Sequence, residues 1–247
     1  MTNGNDKASD FVVDADDGEP MVIRSPLFLP GVPEDLIRAA LAVNGFGWFL
    51  ERAVDLPVFP SLSNLDWPAS KVDVERQMRF PWSGGRHPWL DAAVETASHL
   101  IGVESKRFEP FRDAKTVSLS PAYDRDVWGE QMIPFTTMRD RLRSGEAPYL
   151  HLDGAQLVKH AFGLVTEGRR LDKIPVLLYL YAEPSQRGAV VISPEAIARH
   201  RAEIADFATA VAGAEVRFAA CSWGEWLAGW TGDARTHADA LTARFQP

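Results

Sequence analysis

Asp91, Glu104 and Lys106 are the residues of this 247-residue chain whose types and spacing could perform hydrolysis. They fall in the segment PWLDAAVETASHLIGVESKRFEP, residues 88 to 110. Side chains two apart on a strand project from the same face. A strand over 99–107 therefore sets the Glu104 carboxylate beside the Lys106 amine, at the end of the apolar run Leu100-Ile101-Gly102-Val103. Asp91 belongs to the preceding strand of the expected hairpin, whose turn can bring its carboxylate next to Glu104. Two close carboxylates make a hard-oxygen site suited to magnesium. A metal held there polarises a phosphodiester and lowers the pKa of a bound water, while Lys106 can orient that water or stabilise developing charge. The competing reading makes Glu104 and Lys106 a cross-strand ion pair and Asp91 an edge residue.

Other residues were weighed against this trio. Asp113-Ala114-Lys115 has the same acid-x-lysine form but no apolar approach. Glu75, on the polar side of an earlier strand, and Glu51, near the end of the first helix, are candidates for an additional acid in the metal site, against the commoner role of a solvated carboxylate. The bases Arg107, Arg112, Lys115, Arg139, Arg141 and Arg143 are interleaved with Glu109, Asp113 and Asp140, as on a solvated surface, and single out no phosphate contact. Trp223, Trp226 and Trp230 have the spacing of a core-sealing helix rather than of a base-stacking platform.

The elements that must position these residues are readable in part. Helical spacing of apolar residues from Glu34 to Ala53 predicts a first helix, with Gly45 and Gly47 marking a kink or a close contact. Alternation from Val72 to Phe80, a Ser-Gly-Gly turn at 83–85, and the runs Trp89–Thr96 and His99–Arg107 predict an antiparallel three-strand meander. Residues 108–150 resist reading apart from a short helix near Thr136–Arg143. Asp153 is placed to cap a helix reaching about Thr166, and IPVLLYLY at 174–181 is a strand apolar on both faces. Ser193-Pro194-Glu195 starts a helix ending near Gly213, and Val216, Phe218 and Ala220 mark a last strand. Strand, helix, strand normally closes as a right-handed parallel crossover, so the sheet should be mixed.

Pro88-x-x-Asp91, twelve residues, then Glu104-x-Lys106, set in this order of elements, resembles the PD-(D/E)XK signature of the restriction-endonuclease-like superfamily. In this chain the proline stands three residues before the aspartate rather than beside it. The resemblance implies an α/β fold with a restriction-endonuclease-like three-layer core, a central mixed sheet flanked by helices in the order α-β-β-β-α-β-α-β. It implies Asp91 and Glu104 as metal ligands, with the Ser105 carbonyl as a third oxygen and Lys106 as the catalytic lysine. It implies magnesium, or manganese in vitro, as cofactor, and DNA or occasionally RNA as substrate, in restriction or repair. Gln156 in AQLVKH resembles the glutamine that supports related sites from the helix after the catalytic strands. Lys159, His160 and Gly163 share its helix face, which otherwise reads as solvated.

Composition bounds the alternatives. The net charge is −8, but residues 1–20 hold six acids against Lys7, leaving −3 for the rest. We expect a disordered acidic tail over 1–20 and a single domain over 21–247. Cys221 is the single cysteine and is expected to be buried, which excludes an internal disulfide and a thiolate cluster. The longest apolar run is far shorter than the roughly 20 residues of a spanning helix, and the start lacks signal-peptide character, so a cytoplasmic protein without membrane contact is expected. A homodimer would suit cleavage of both strands. Two alternatives stand beside the nuclease: a non-catalytic binding or assembly module of the same fold, and an unrelated carboxylate hydrolase, for example on a glycoside, needing neither Lys106 nor magnesium.

Overall fold

The computed structural model of the protein describes residues 10–14, 20–24, 37–84, 86–112 and 115–247. Inside the acidic N-terminal stretch, β1 (Asp10–Asp14) pairs antiparallel with β2 (Pro20–Arg24). Of the stretch 1–20, expected as a disordered tail, residues 10–14 and Pro20 are strand residues of this hairpin, and the remainder lies outside the described residues. Helix α1 (Ile37–Gly47) precedes the strands β3 (Lys71–Gln77), β4 (Trp89–Glu95) and β5 (His99–Lys106). The predicted start of α1 at 34–36 lies outside the described residues. After a short turn of helix, α2 (Glu109–Arg112), come α3 (Ile133–Ser144), α4 (Gly154–Leu171), β6 (Ile174–Tyr181), the small hairpin β7 (Gln186–Arg187) and β8 (Val190–Val191), α5 (Pro194–Ala210), β9 (Arg217–Ser222), α6 (Trp223–Ala228) and α7 (Gly232–Phe245).

The central sheet has five strands in the order β3-β4-β5-β6-β9. β3, β4 and β5 form the antiparallel meander, and β6 and β9 add in parallel. The chain is therefore an α/β protein with a mixed sheet between two helical layers. One layer, α1 with α6 and α7, packs around Phe46, Phe49, Trp223, Trp226 and Trp230. The other, α3, α4 and α5, packs around Phe135, Val158, Phe162, Leu164 and Phe207. All three C-terminal tryptophans are in the core, as their spacing predicts, and Cys221 is buried with them. Gly45 is the close contact its position suggested, since a Cβ there would come within 2.7 Å of Trp223.

Local signals acted as read. Asp153 accepts the Gln156 N–H at the start of α4, and Ser193 accepts the Ala196 N–H before Pro194 at the start of α5. Helix α7 was not anticipated. Its buried residues are Ala234, His237, Ala238, Leu241 and Phe245, small or polar in three of five cases, so its apolar stripe is weak until it lies on α1.

Helix α4 approaches the sheet closely through glycines. A Cβ on Gly163 would meet Met78 Cβ at 2.8 Å and Pro88 Cγ at 2.9 Å, both stiff parts of the β3–β4 connection. Replacing an exposed helical glycine by alanine gains about 1 kcal/mol. Here overpacking, about 1–3 kcal/mol, opposes it. Gly163→Ala should therefore lower stability, read as an earlier urea midpoint with unchanged slope; a later midpoint would show that the connection yields freely.

Candidate active site

Strand register builds the site. Val74 pairs with Ala92 and Arg76 with Leu90, so Glu75 and Asp91 face each other between them. Ala92 pairs with Val103, and the next step of the same register sets Asp91 against Glu104. Glu104 in turn pairs with Tyr179 on β6, and Lys106 with Tyr181. Three acids from three adjacent strands thus lie in one row across the sheet. At Glu75 the backbone enters the left-handed region, φ +48°, a conformation costing an L-residue roughly 1–2 kcal/mol. It interrupts β3 directly opposite Asp91.

Glu104 is 2 % exposed and is held from two sides. Lys106 Nζ binds Oε1, and His160 Nε2 on α4 lies 2.9 Å from Oε2. The His160 contact is close but lacks the direction of a good hydrogen bond, and Nδ1 of the same buried ring has no partner among the described residues. Asp91 Oδ2 accepts the Ser105 N–H at 2.6 Å. The N–H and C=O of a strand residue point to the same edge, so the Ser105 carbonyl is directed to the side of Asp91, where pairing with β4 has ended. The Ser105 hydroxyl faces the other layer and accepts from Trp223 Nε1 at 3.1 Å.

Electrostatics divide the two principal acids. Burial drives both carboxyls upward. For Asp91 the neighbouring Glu104 and Glu75 push the same way, and it lies well above the carboxylate range. For Glu104, Lys106 and His160 outweigh burial and bring it down to about 2. Burial pulls Lys106 down, but Glu104 and Asp91 prevail and keep it firmly cationic. The cluster pairs a stable carboxylate–ammonium couple with a half-buried acid whose carboxyl lies well above its ordinary range.

Of the weighed residues, Asp91, Glu104, Ser105, Lys106 and Glu75 come together. Glu51 is exposed after α1 and meets none of them. Gln156 and Lys159 are half-buried on α4, with no hydrogen bond or ion pair to Asp91 or Glu104 among the described residues. His160, read from sequence as part of a solvated face, is instead the α4 side chain that reaches Glu104; its i+4 spacing from Gln156 was the available signal. Asp113 lies outside the described residues. Arg139 and Arg143 are tied to Asp124, and Arg107 donates to the Phe245 carbonyl, so these bases serve the protein's own structure.

Beside the row, α5 buries His200 at 0 % exposure, with Nε2 3.0 Å from Tyr179 Oη. Burial lowers its pKa from 6.5 to about 4; His151 and Lys115 add to this and Glu203 opposes it. Because the folded value lies below the unfolded one, the neutral ring stabilises the fold fully above pH about 6.5. That contribution, about 3 kcal/mol, is lost as pH falls from about 6.5 toward 4. A urea series across this window should show the loss in the wild type and a flatter profile in His200→Leu; equal slopes would remove His200 as the cause.

No protein-family model matches the chain, and no curated protein or solved structure matches it either. The chemistry has to be argued from the row of acids.

Proposed function

We propose that the protein is a metal-dependent phosphodiesterase, a DNA endonuclease of the PD-(D/E)XK type with the restriction-endonuclease-like arrangement of its mixed sheet. The observation that carries this reading is the register that sets Asp91 against Glu104, with Lys106 bound to Glu104 and the Ser105 carbonyl directed to the same side.

The donor set was weighed for magnesium. Asp91, Glu104 and the Ser105 carbonyl are hard oxygens, as that ion requires, and a cation would favour ionisation of Asp91, whose carboxyl otherwise lies above its ordinary range. No group of three or more His, Cys, Asp or Glu able to hold a metal occurs among the described residues, so such an ion would complete its shell with water and substrate oxygens, as magnesium commonly does. Bound there, it would supply Lewis acidity and a more acidic water. The chain's own contribution is positional. Asp91 is fixed by the Ser105 N–H, Glu104 by Lys106 and His160, and the Lys106 ammonium offers a donor to an incoming water or phosphate oxygen. Arg79 and Arg86, exposed on the β3–β4 connection at the same end of the sheet as Asp91, offer positive charge to a phosphate backbone.

A second reading has one observation in its favour. Both Glu104 oxygens are engaged by Lys106 and His160, as they would be in a non-catalytic member of the fold that binds or assembles without metal. Incubation of purified protein with supercoiled and linear DNA, with magnesium or manganese, separates the two. The nuclease reading expects cutting that requires the metal and disappears in folded Glu104→Ala. No cutting together with no heat of metal binding would support the metal-free module.

A further inference from the structure

The pair Tyr179–His200 is an unusual use of a core. Tyr179 is 2 % and His200 0 % exposed, and the imidazole is enclosed by the rings of Phe111, His151, Tyr179 and Tyr181, with centroids 5.4 to 6.4 Å away. His200 Nδ1 has no partner among the described residues. A buried polar atom left unpaired costs stability, whereas leucine and phenylalanine in the same two places would carry no such cost.

The pair stands next to the acids. Tyr179 is the register partner of Glu104, and Tyr181 that of Lys106. Glu104 reaches α4 and Tyr179 packs in the core beneath α4, so Glu104, Lys106, Tyr179 and Tyr181 share one face of the sheet. Same-face neighbours on paired strands have their Cβ atoms about 5 Å apart. The Tyr179 hydroxyl accordingly lies in the fields of Lys106 and Glu104.

Hydrogen-bond logic assigns the protons. At neutral pH the buried His200 ring is uncharged, so one nitrogen carries hydrogen and the other accepts. If Nε2 accepts from Tyr179 O–H, the orphan hydrogen sits on Nδ1 and both lone pairs of the tyrosine oxygen remain available. We propose that Tyr179, oriented by His200, is a positioning residue for Lys106: its oxygen holds the ammonium in place when Glu104 turns to other partners. This rests on the nuclease reading for its purpose; in the structure Lys106 Nζ binds Glu104 Oε1 and Tyr179 Oη lies against His200 Nε2, so the Tyr179–Lys106 contact belongs to the proposal alone. The unpaired Nδ1 is then the consequence of presenting an acceptor, not a packing fault.

The test uses the full chain labelled with 15N-lysine; its six lysines give few ammonium signals, and Lys106→Met assigns the one needed. Tyr179→Phe removes the hydroxyl alone, and Tyr179→Phe/His200→Leu removes both polar groups, which protects against misfolding of the single variant. We expect the Lys106 signal to move in both. We expect kcat on DNA to fall about 10- to 100-fold, as for other outer-shell partners, with KM within about twofold. The double variant should melt at or above the wild-type temperature. A Lys106 signal that stays in place in folded variants overturns the proposal, whatever the cleavage assay shows. Wild-type cutting with unchanged kcat in those variants overturns it too and leaves the nuclease reading standing. A signal that moves in a protein that cuts no DNA supports the positioning contact and removes the nuclease reading instead.

Discussion

Lys106→Met should sharply reduce the proposed DNA cleavage and cost the protein much of its stability. The methionine keeps the length and apolar body of the side chain and removes only the ammonium. Glu104 is then a buried carboxylate whose Oε1 has lost its cation and whose Oε2 retains only the ill-directed contact with His160. Breaking a buried ion pair from one side costs about 3–5 kcal/mol, because the remaining charge is neither solvated nor paired. For a chain of this size that corresponds to roughly 10 °C in melting temperature. Cleavage should fall on the order of 10²- to 10³-fold through loss of a preorganised donor. Calorimetry and a gel assay on the same preparation check both parts. The double variant Glu104→Gln/Lys106→Met should recover most of the stability, since both charges are then gone, and none of the activity. A single variant as stable as the wild type would mean that the pair is solvated and that Glu104 is not the buried centre of the site.

Asp91→Asn should have the opposite effect on stability and the same effect on cleavage. Burial, with Glu104 and Glu75 beside it, holds the Asp91 carboxyl well above its ordinary range. A raised carboxyl contributes stability that is fully present below its unfolded pKa, about 3.9, and is lost as pH rises through the higher folded value. Metal-free wild type should therefore weaken toward alkaline pH on this account. Asparagine keeps a carbonyl oxygen for the Ser105 N–H and carries no charge to bury, so the variant should exceed the wild type by about 1–2 kcal/mol at pH 8 and match it near pH 4. Magnesium should narrow the gap by stabilising the wild type alone, by about 2.7 kcal/mol at a hundredfold excess over its dissociation constant. Urea melts at the two pH values, with and without the ion, read all three expectations. Lower stability of Asp91→Asn at pH 8 would show that Asp91 stands ionised and paired, against the arrangement described. Glu104 contributes with the other sign: at about 2 it lies below its unfolded value, so its contribution is present above pH about 4.3 and fades in acid.

The two variants separate a device for stability from a device for chemistry. A site selected only for folding would not set a half-buried acid that resists ionisation beside two others, nor bend the backbone of Glu75 into the left-handed region opposite it. Features that cost stability gather where function is carried. The orphaned nitrogens of His160 and His200, on the two helices packed over the same face, belong to this pattern.

What the sequence by itself determined was local or strictly periodic. Alternation sets Glu104 and Lys106 on one face because the strand repeat is two, whatever surrounds the strand. Asp153 and Ser193 cap their helices because a short side chain bonds its own backbone three residues on. The run 174–181 is a central strand because apolar residues on both faces must be covered on both faces. A short connection made β4 and β5 antiparallel, which brought Asp91 to Glu104. The tertiary structure alone decided the rest, where the determining contact is distant along the chain. His160 reaches Glu104 because α4 descends onto β5 at Gly102, where a Cβ would meet Leu164 at 2.8 Å. Tyr179 meets His200 only once α5 lies across β6. Glu75 faces Asp91 at the one step that the β3–β4 register passes over, and its left-handed φ is not a glutamate's own preference. Helix α7 acquires a buried face only from packing on α1 and α6, with His237 bonded to the Asn44 carbonyl. Local sequence specifies which way a side chain points along its own element; which charge it meets there depends on how the layers are packed.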